Sequence, residues 1–363
     1  MTKPRGLAPR ALLSAAVLLL CLGGVELGFR LAGRGDPVVY EDLLMSWEPS
    51  SPFVAAPDQA YQLALLPNYS GRQVYRDALT GDEILGVPVH TNSLGLRGPE
   101  LTPPGDTLRV LALGDSVSFG QGVDVAQALP AQLEGALAAR RPVQVLNASV
   151  PSWNLPHELA WLQAHGWALK PDLVLWMFYV NDVSTAQRSM AVDQDRPMLL
   201  AAPTWASGEA GIRRISFAAN ALCRVVERRK LARELLQPAP SFRLEGRSYL
   251  DELRQDMRSG QGVQPRLEGL AQACAERDTP CAVVVLPVLI AGQDDRGEDI
   301  LDEVAGAAER AGLQVVRIDD ALDSLEPAQR YVLPGDRHPS ALAHQRMASL
   351  LADRLQLPPT TSP

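Results

Sequence analysis

The sequence predicts an α/β fold built on a doubly wound parallel sheet with helices on both faces. Two observations lead to this prediction. Between residues 107 and 357, short apolar segments of strand length alternate with longer segments of helical length, which is the pattern of βαβ units. One short segment, residues 172–179 (DLVLWMFY), is apolar over nearly its whole length, as expected for a parallel strand buried on both faces.

The predicted elements repeat the order of strand and helix. The first half runs strand, helix, strand, helix and strand, at residues 109–113, 126–141, 143–150, 155–170 and 172–179. The second half runs helix, strand, helix, strand and helix, at residues 266–277, 281–289, 297–312, 313–318 and 339–355. Residues 183–264 interrupt this order and are predicted to be an insertion. Its basic segment, residues 213–236, is either a helix that binds anionic lipid or polysaccharide or a solvated face.

The first 34 residues are predicted to direct export. Lys3, Arg5 and Arg10 precede an apolar run at residues 11–25, which contains Cys21. This pattern is typical of a secretory signal or an uncleaved signal anchor, and the poor match to a cleavage site favours the anchor. Positive charges before the run keep that end in the cytoplasm. We therefore expect the rest of the chain in the periplasm or outside, anchored in the cytoplasmic membrane, with cleaved secretion as the alternative.

Residues 35–106 connect this segment to the main domain at residues 107–357. They are rich in Pro, Gly, Ser and Asp and contain only short strand-like pieces, such as residues 73–75 and 84–89. Such a composition predicts a linker followed by an irregular N-terminal extension that packs on the main domain.

Composition excludes several classes of protein. A hydrophobic content of 46% excludes a disordered chain, and the net charge of -8 makes nucleic acid an unsuitable partner. Cys274 and Cys281 either pair in an oxidising compartment or stay as buried thiols, and Cys223 is then left over. The chain has no C-x-x-C motif, and we expect neither a metal nor an organic cofactor.

Polar residues follow the predicted strands, where ligands bind in a sheet of this kind. The first strand runs into residues 114–120 (GDSVSFG), so Ser116 lies between a buried strand and a turn and is a candidate nucleophile. Residues 147–154 (NASVPSWN) follow the second strand and Asn181 follows the third, and they offer N–H donors to an oxyanion. Residues 333–340 (LPGDRHPS) add an imidazole that can take a proton from Ser and a carboxylate that can fix its tautomer.

Together these four segments resemble the SGNH hydrolase superfamily, also called GDSL-type esterases and lipases, over about residues 109–355. Residues 89–100 (VHTNSLGLRGPE) also resemble a stretch of membrane-anchored bacterial members. The resemblance implies a flavodoxin-like SGNH fold. It also implies that Ser116 is the nucleophile and a backbone oxyanion donor, Asn181 a side-chain oxyanion donor, and His338 the general base.

Two positions depart from the family's pattern. The glycine whose N–H completes the oxyanion hole aligns with Ser152, which still carries a backbone N–H. The triad acid usually precedes the His by three residues, where this chain has Gly335, whereas Asp336 precedes His338 by two. We expect Asp336 to be the acid, with a backbone carbonyl as the alternative. The other histidines are expected to be structural, although His90 could line the site; they are His90, His157, His165 and His344.

The sequence leaves three functions open. The first is a serine hydrolase that cleaves acyl or acetyl esters of carbohydrate or lipid through an acyl-enzyme on Ser116. The second is an O-acyltransferase that uses the same residues on exported polysaccharide, because water exclusion decides which acceptor reacts. The third is a non-catalytic binding module with a decayed site.

Overall fold

The computed structural model describes residues 7–31, 43–56, 60–77, 81–103, 105–184, 198–200, 218, 249–258, 262–289, 297–333 and 336–359. The chain divides into two compact units. The first comprises Met1–Leu44, Arg76–Ile84 and Leu199–Ser241, and the second comprises Met45–Tyr75, Leu85–Met198 and Phe242–Pro363. Most of the predicted insertion, including Cys223 and nearly all of residues 213–236, lies outside the described residues.

The first unit contains a long N-terminal helix, α1, at Leu7–Leu31. Arg30 Nε donates to Glu26 Oε1 at 2.8 Å within this helix, and Cys21 is exposed on it. Among the residues that the structure describes, we find no helix with the length and hydropathy needed to cross a membrane.

The second unit contains a five-stranded parallel sheet, which confirms the predicted doubly wound α/β fold. Its strands, in spatial order, are β11 (Gln314–Arg317), β10 (Cys281–Val285), β8 (Leu173–Phe178), β6 (Leu108–Gly114) and β7 (Val143–Asn147). Val110 of β6 lies opposite Leu173 of β8 and Val145 of β7. Every residue of β8 and β10 is buried, and for β8 this confirms the burial on both faces that its apolar sequence predicted.

Helices cover both faces of this sheet. On one face, Leu111, Trp176 and the residues that share their side pack against helices α4 (Leu155–Ala164), α6 (Val263–Ala275) and α7 (Glu298–Arg310). On the other face, Val110 and Leu175 pack against helices α3 (Leu129–Ala138) and α9 (Ala341–Arg354). Alternate residues of each strand therefore enter opposite cores, which follows from the two-residue period of a strand.

The structure also contains shorter elements: α2 (Ser116–Phe119), α5 (Tyr249–Arg258), α8 (Pro327–Arg330), strand β9 (Met198–Leu200) and the hairpin of β12 (Tyr331–Leu333) and β13 (Asp336–Pro339). Two of the longer elements have other bounds than predicted. The terminal helix begins at Ala341 rather than at 339, because Ser340 caps it by accepting from Ala343 N. The strand predicted at 281–289 ends at Val285.

The N-terminal extension is more regular than the irregular segment that its composition predicted. It forms β1 (Leu43–Glu48), β2 (Phe53–Ala55), β3 (Leu63–Leu65), β4 (Ser70–Asp77) and β5 (Glu83–His90). The side-by-side order is β5, β4 and β1, and β2 pairs with β3 as a hairpin. Pairing satisfies the backbone of these strands, and Val74, Tyr75 and Val89 are buried completely.

One of the two outcomes left open for the cysteines is observed. A disulfide joins Cys274, near the end of α6, to Cys281, the first residue of β10. The bond closes the short connection between a helix and the strand that follows it.

Candidate active site

The turn that carries Ser116 is fixed by its neighbours on both sides. Asp115 caps α2, because its Oδ1 accepts the Val117 N–H at 2.8 Å, and Gly120 ends α2 with φ of 86°. A Cβ on Gly114 would lie 2.2 Å from Ser118 Oγ, so only glycine fits at the end of β6. Ser116 is thereby held at the carboxyl edge of the sheet, partly exposed while Asp115 and Val117 are buried.

The structure brings Ser116, His338 and Asp336 into one hydrogen-bonded chain. His338 Nε2 lies 2.8 Å from Ser116 Oγ, and His338 Nδ1 lies 2.5 Å from Asp336 Oδ1. The unusual spacing of two works because Asp336 and His338 lie on strand β13, where residues i and i+2 face the same side. The Asp336 carboxylate also accepts the backbone N–H of His338 at 3.1 Å.

The acid and the base of this chain stabilise each other's charged forms. Burial raises the pKa of Asp336, but the His338 charge, the hydrogen bonds from His338 and the neighbouring Tyr75 hydroxyl outweigh it, so the pKa lies below its usual value. Burial lowers the pKa of His338, yet the charge and hydrogen bond of Asp336 outweigh it and the pKa is raised. The His338 side chain is 20% exposed, so a reacting group can approach it.

Asn181 lies beside the nucleophile turn. It belongs to a single turn of 3₁₀ helix, Val180–Val183, that directly follows β8. Its Nδ2 donates to Asp115 Oδ2 at 2.9 Å, so the amide is tied to the residue that precedes Ser116. The amide nitrogen carries a second hydrogen that this bond does not use.

Ser152, the position where the sequence analysis expected a glycine, has a backbone conformation that favours glycine. Its φ is 74°, in the left-handed region that non-glycine residues rarely adopt. The loop that carries it is tied to the nucleophile turn, because Val150 N donates to Gly114 O at 3.0 Å and Ser118 Oγ donates to Ser149 Oγ at 2.8 Å. Ser152 is therefore held in a glycine-like conformation on a loop that is bonded to the nucleophile turn.

A group of buried carboxyls that the sequence did not single out lies close to this turn. Asp115, Glu158 on α4 and Asp182 are all at most 1% exposed. Burial and the charge of Asp115 raise the pKa of Glu158 well above its usual value, and burial with both neighbouring charges does the same for Asp182. Neither oxygen of Glu158 has a hydrogen-bond partner among the residues that the structure describes.

Arg97, in the stretch that the sequence analysis noted at residues 89–100, supports the nucleophile turn from behind. Its Nη1 donates to the carbonyls of Phe119 and Gly120, and its Nη2 donates to Val123 O, all at 2.6 Å. The guanidinium also lies 4.4 Å from the Phe119 ring centroid. Burial lowers the pKa of Arg97 to about 10, so it still carries its charge at neutral pH.

The other four histidines lie outside the triad. His90 is exposed and lines a surface depression with Pro49, Arg72 and Pro88. His157 Nδ1 accepts Asn154 N–H at 3.3 Å, and His165 Nε2 lies 2.7 Å from the Tyr61 hydroxyl.

His344 is fully buried, and burial lowers its pKa to about 3, so it stays neutral. No group of three or more His, Cys, Asp or Glu that could hold a metal occurs within the described ranges.

Comparison with known proteins gives one family. A model of the GDSL-like lipase/acylhydrolase family matches residues 112–346. No curated protein matches the chain.

Solved structures resemble the chain at low identity. One is a lipase/acylhydrolase from Enterococcus faecalis, 13% identical, with 70% of this chain and 100% of that chain covered and a TM-score of 0.39. Another is a catalytic mutant of Axe2, an acetylxylan esterase from Geobacillus stearothermophilus. It is 16% identical, with 70% of this chain and 96% of that chain covered and a TM-score of 0.39. A third is the esterase EstA from Pseudoalteromonas. It is 13% identical, with 68% of this chain and 95% of that chain covered and a TM-score of 0.38.

Proposed function

Since the chain belongs to the GDSL-like lipase/acylhydrolase family, we propose that it hydrolyses carboxylic esters through an acyl-enzyme on Ser116. The observation that carries the proposal is the continuous chain from Ser116 Oγ through His338 to Asp336, at 2.8 and 2.5 Å. An activated serine needs a base within hydrogen-bond reach and a third group that orients the base.

The geometry supplies the proton transfers of both half-reactions. Ser116 Oγ attacks the ester carbonyl while its proton passes to His338 Nε2, and Asp336 holds the proton on Nδ1. His338 then gives the proton to the leaving alcohol. In the second half-reaction His338 takes a proton from water, which attacks the acyl-enzyme, and His338 then returns the proton to Ser116 Oγ as the acid leaves.

The oxyanion is held by groups from three strand ends. We assign the backbone N–H groups of Ser116 and Ser152 and the amide of Asn181, which follow β6, β7 and β8. Fixed donors of this kind stabilise the charge that develops on the carbonyl oxygen, and each is worth about 10²-fold to 10³-fold in rate. The reaction uses no metal and no organic cofactor.

The compartment of this activity is part of the same proposal. The basic residues before the apolar run of α1 are typical of an exported chain, and the Cys274–Cys281 disulfide is typical of an oxidising compartment. We place the catalytic unit in the periplasm or outside, with residues 1–34 as signal anchor. Alkylation of protein isolated from the cell envelope, before and after reduction, with the labelled sites mapped by mass spectrometry, tests this: Cys274 and Cys281 that react before reduction contradict export.

The first test of the activity is direct labelling of the serine. The full-length protein is treated with an organophosphonate and analysed by mass spectrometry, beside Ser116→Ala and the control Ser118→Ala. Wild type and the control take up one label at Ser116, and Ser116→Ala takes up none. Wild type without a label contradicts an activated serine and favours the binding module.

The second test separates hydrolysis from transfer. Release of p-nitrophenol from the acetate and octanoate esters is followed for wild type and Ser116→Ala, with and without added polysaccharide. Hydrolysis in water alone supports the esterase, and the ratio of the two rates gives the acyl length. Turnover that requires the polysaccharide indicates the O-acyltransferase instead.

A further inference from the structure

The N-terminal extension places a buried tyrosine beside the triad acid. Tyr75 is on strand β4 and is 0% exposed, and its hydroxyl faces Asp336 and Gln121. The sequence analysis noted residues 73–75 only as a strand-like piece. The family motifs do not include this residue, because it precedes residues 112–346.

Two side chains of β4 fix its position against the loop that follows Ser116. Gln73 Oε1 accepts the Gly122 N–H at 2.8 Å, and Gln73 is 1% exposed. Tyr75, two residues later on the same face, contacts the same glycine, because a Cβ on Gly122 would lie 3.0 Å from the Tyr75 hydroxyl. The hydroxyl therefore lies beside the loop that follows Ser116.

The triad acid has one oxygen that its histidine does not use. Asp336 Oδ1 accepts both His338 Nδ1–H and His338 N–H, at 2.5 and 3.1 Å. Asp336 Oδ2 and the Tyr75 hydroxyl are both buried, and neither makes a hydrogen bond with full geometry among the residues that the structure describes. A buried acceptor and a buried donor that face each other without other partners are complementary.

We propose that Tyr75 is a positioning residue of the triad, whose hydroxyl donates a hydrogen bond to Asp336 Oδ2. The proposal rests on the ester hydrolysis proposed above and adds a fourth member to the chain of Ser116, His338 and Asp336. It also gives the N-terminal extension a part in catalysis.

The bond matters because Asp336 reaches His338 from a short hairpin. With a second donor on Oδ2, the carboxylate keeps its charge and its orientation, and the proton of His338 stays on Nδ1. The groups that face Tyr75 are Asp336 on β13, Gln121 in the loop after α2, and the more distant charge of Arg97. The carboxylate is the acceptor among them.

The test compares two tyrosines of the extension. Tyr75→Phe removes the donor, and Tyr69→Phe is the matched control, because the Tyr69 hydroxyl donates to Ser50 O at 2.6 Å in the same extension. We expect Tyr75→Phe to lower kcat about tenfold at nearly constant KM, as for the loss of one bond to a charged group. Tyr69→Phe keeps the kcat of wild type.

The pH profile separates positioning from mere folding. Without the donor, Asp336 becomes more basic and holds the proton on His338 more strongly. The acidic limb of kcat/KM, which reports neutral His338, therefore moves to higher pH in Tyr75→Phe and stays in place in Tyr69→Phe. The low-field proton resonance of His338 Nδ1–H changes in the same variant only.

A folded Tyr75→Phe whose limb and resonance equal those of wild type overturns the proposal. Should this variant fail to fold, 3-fluorotyrosine at position 75 provides a stronger donor without loss of the ring. The limb then moves to lower pH, and an unchanged limb overturns the proposal. The resonance needs no substrate, so it decides the role of Tyr75 even where absent labelling and turnover refute the esterase.

Discussion

The pKa values of two buried carboxyls near the nucleophile turn are shifted in opposite directions. Asp336 is 2% exposed and Glu158 is 0% exposed, yet the pKa of Asp336 is lowered and that of Glu158 is raised. Asp336 has an imidazole at 2.5 Å, whereas Glu158 has no hydrogen-bond partner among the described residues and the charge of Asp115 nearby. Burial is therefore not what decides the charge of a carboxyl; its partners are.

The two carboxyls therefore have different roles, one as a charged group and the other as a protonated group. On the Asp336 side, the carboxylate keeps its charge and can stabilise the imidazolium that forms when His338 accepts a proton. On the Glu158 side, a proton on the carboxyl removes a repulsive charge from the neighbourhood of Asp115, which accepts from Asn181 at 2.9 Å. Four substitutions break or sharpen this comparison.

The largest effect is expected from Asp336→Asn. The amide cannot hold the imidazole in the required tautomer, so kcat/KM for ester hydrolysis falls about 10³-fold to 10⁴-fold. Asp353→Asn, at a carboxylate that is 76% exposed, is the control and changes kcat/KM little. Equal activity of the two variants would show that a backbone carbonyl orients His338.

The effect of Asp336→Asn on stability is expected to depend on pH. Because the pKa of Asp336 is lower in the folded than in the unfolded chain, its contribution is present above the unfolded pKa and is lost as pH falls through the folded pKa. Urea unfolding of Asp336→Asn therefore shows its largest deficit at neutral pH and a smaller one near pH 3.

The next largest effect is expected from Arg97→Met, which removes a buried charge and the guanidinium that donates to three backbone carbonyls. The carbonyls of Phe119, Gly120 and Val123 lose their bonds, and the free energy of unfolding falls by about 3 kcal/mol. Arg310→Met, at an exposed ion pair with Glu303, is the control and changes it by less than about 0.5 kcal/mol. A small loss of unfolding free energy in Arg97→Met would mean that the nucleophile turn is stable without the bonds from Arg97.

Glu158→Gln sharpens the comparison through its pH dependence. The pKa of Glu158 is higher in the folded chain, so above about pH 4.3 the unfolded chain releases a proton that the folded chain keeps. Wild type loses stability as pH rises through this range, and the glutamine variant does not. Urea unfolding should show Glu158→Gln gaining stability relative to wild type as the pH rises from about 4 to 8.

Glu268→Gln, at an exposed carboxyl on α6, is the control for this slope and should follow wild type at every pH. A Glu158→Gln difference that is independent of pH would show that Glu158 is ionised in the folded chain.

The smallest effect is expected from Ser152→Gly. Glycine adopts φ of 74° without steric strain, so the free energy of unfolding changes by at most about 1 kcal/mol and activity is retained. Lys170→Gly, at φ of 52° away from the triad, is the matched control for the effect on stability of placing glycine at a positive φ. If Ser152→Gly alone lowers kcat, the Ser152 side chain takes part in the reaction.

The fold could be predicted because each of its strands reports its own environment. Residues 172–179 are apolar without alternation, which only a strand buried on both faces requires, and β8 was found there at Leu173–Phe178. The extension was less predictable. The strands β1, β4 and β5 are stabilised by pairing with one another, which no local pattern of Pro, Gly and Ser records.

The candidate site divides in the same way. Ser116, Asn181 and His338 follow from short motifs, because a motif places chemistry at a strand end and the carboxyl ends of parallel strands share an edge. Glu158 gave no signal, since a glutamate on a helix usually points to solvent. Its burial under the site depends on how α4 packs on the sheet.

By itself the sequence determined the class of fold, the order of the strands along the chain and the residue types available for acyl chemistry. Only the tertiary structure decided that Asp336 meets His338 despite a spacing of two, and that Tyr75 and Arg97 stand behind the triad. The physical reason is distance along the chain. Periodicity and motifs report neighbours within about one turn or one strand, whereas Tyr75 and Asp336 are brought together by packing alone.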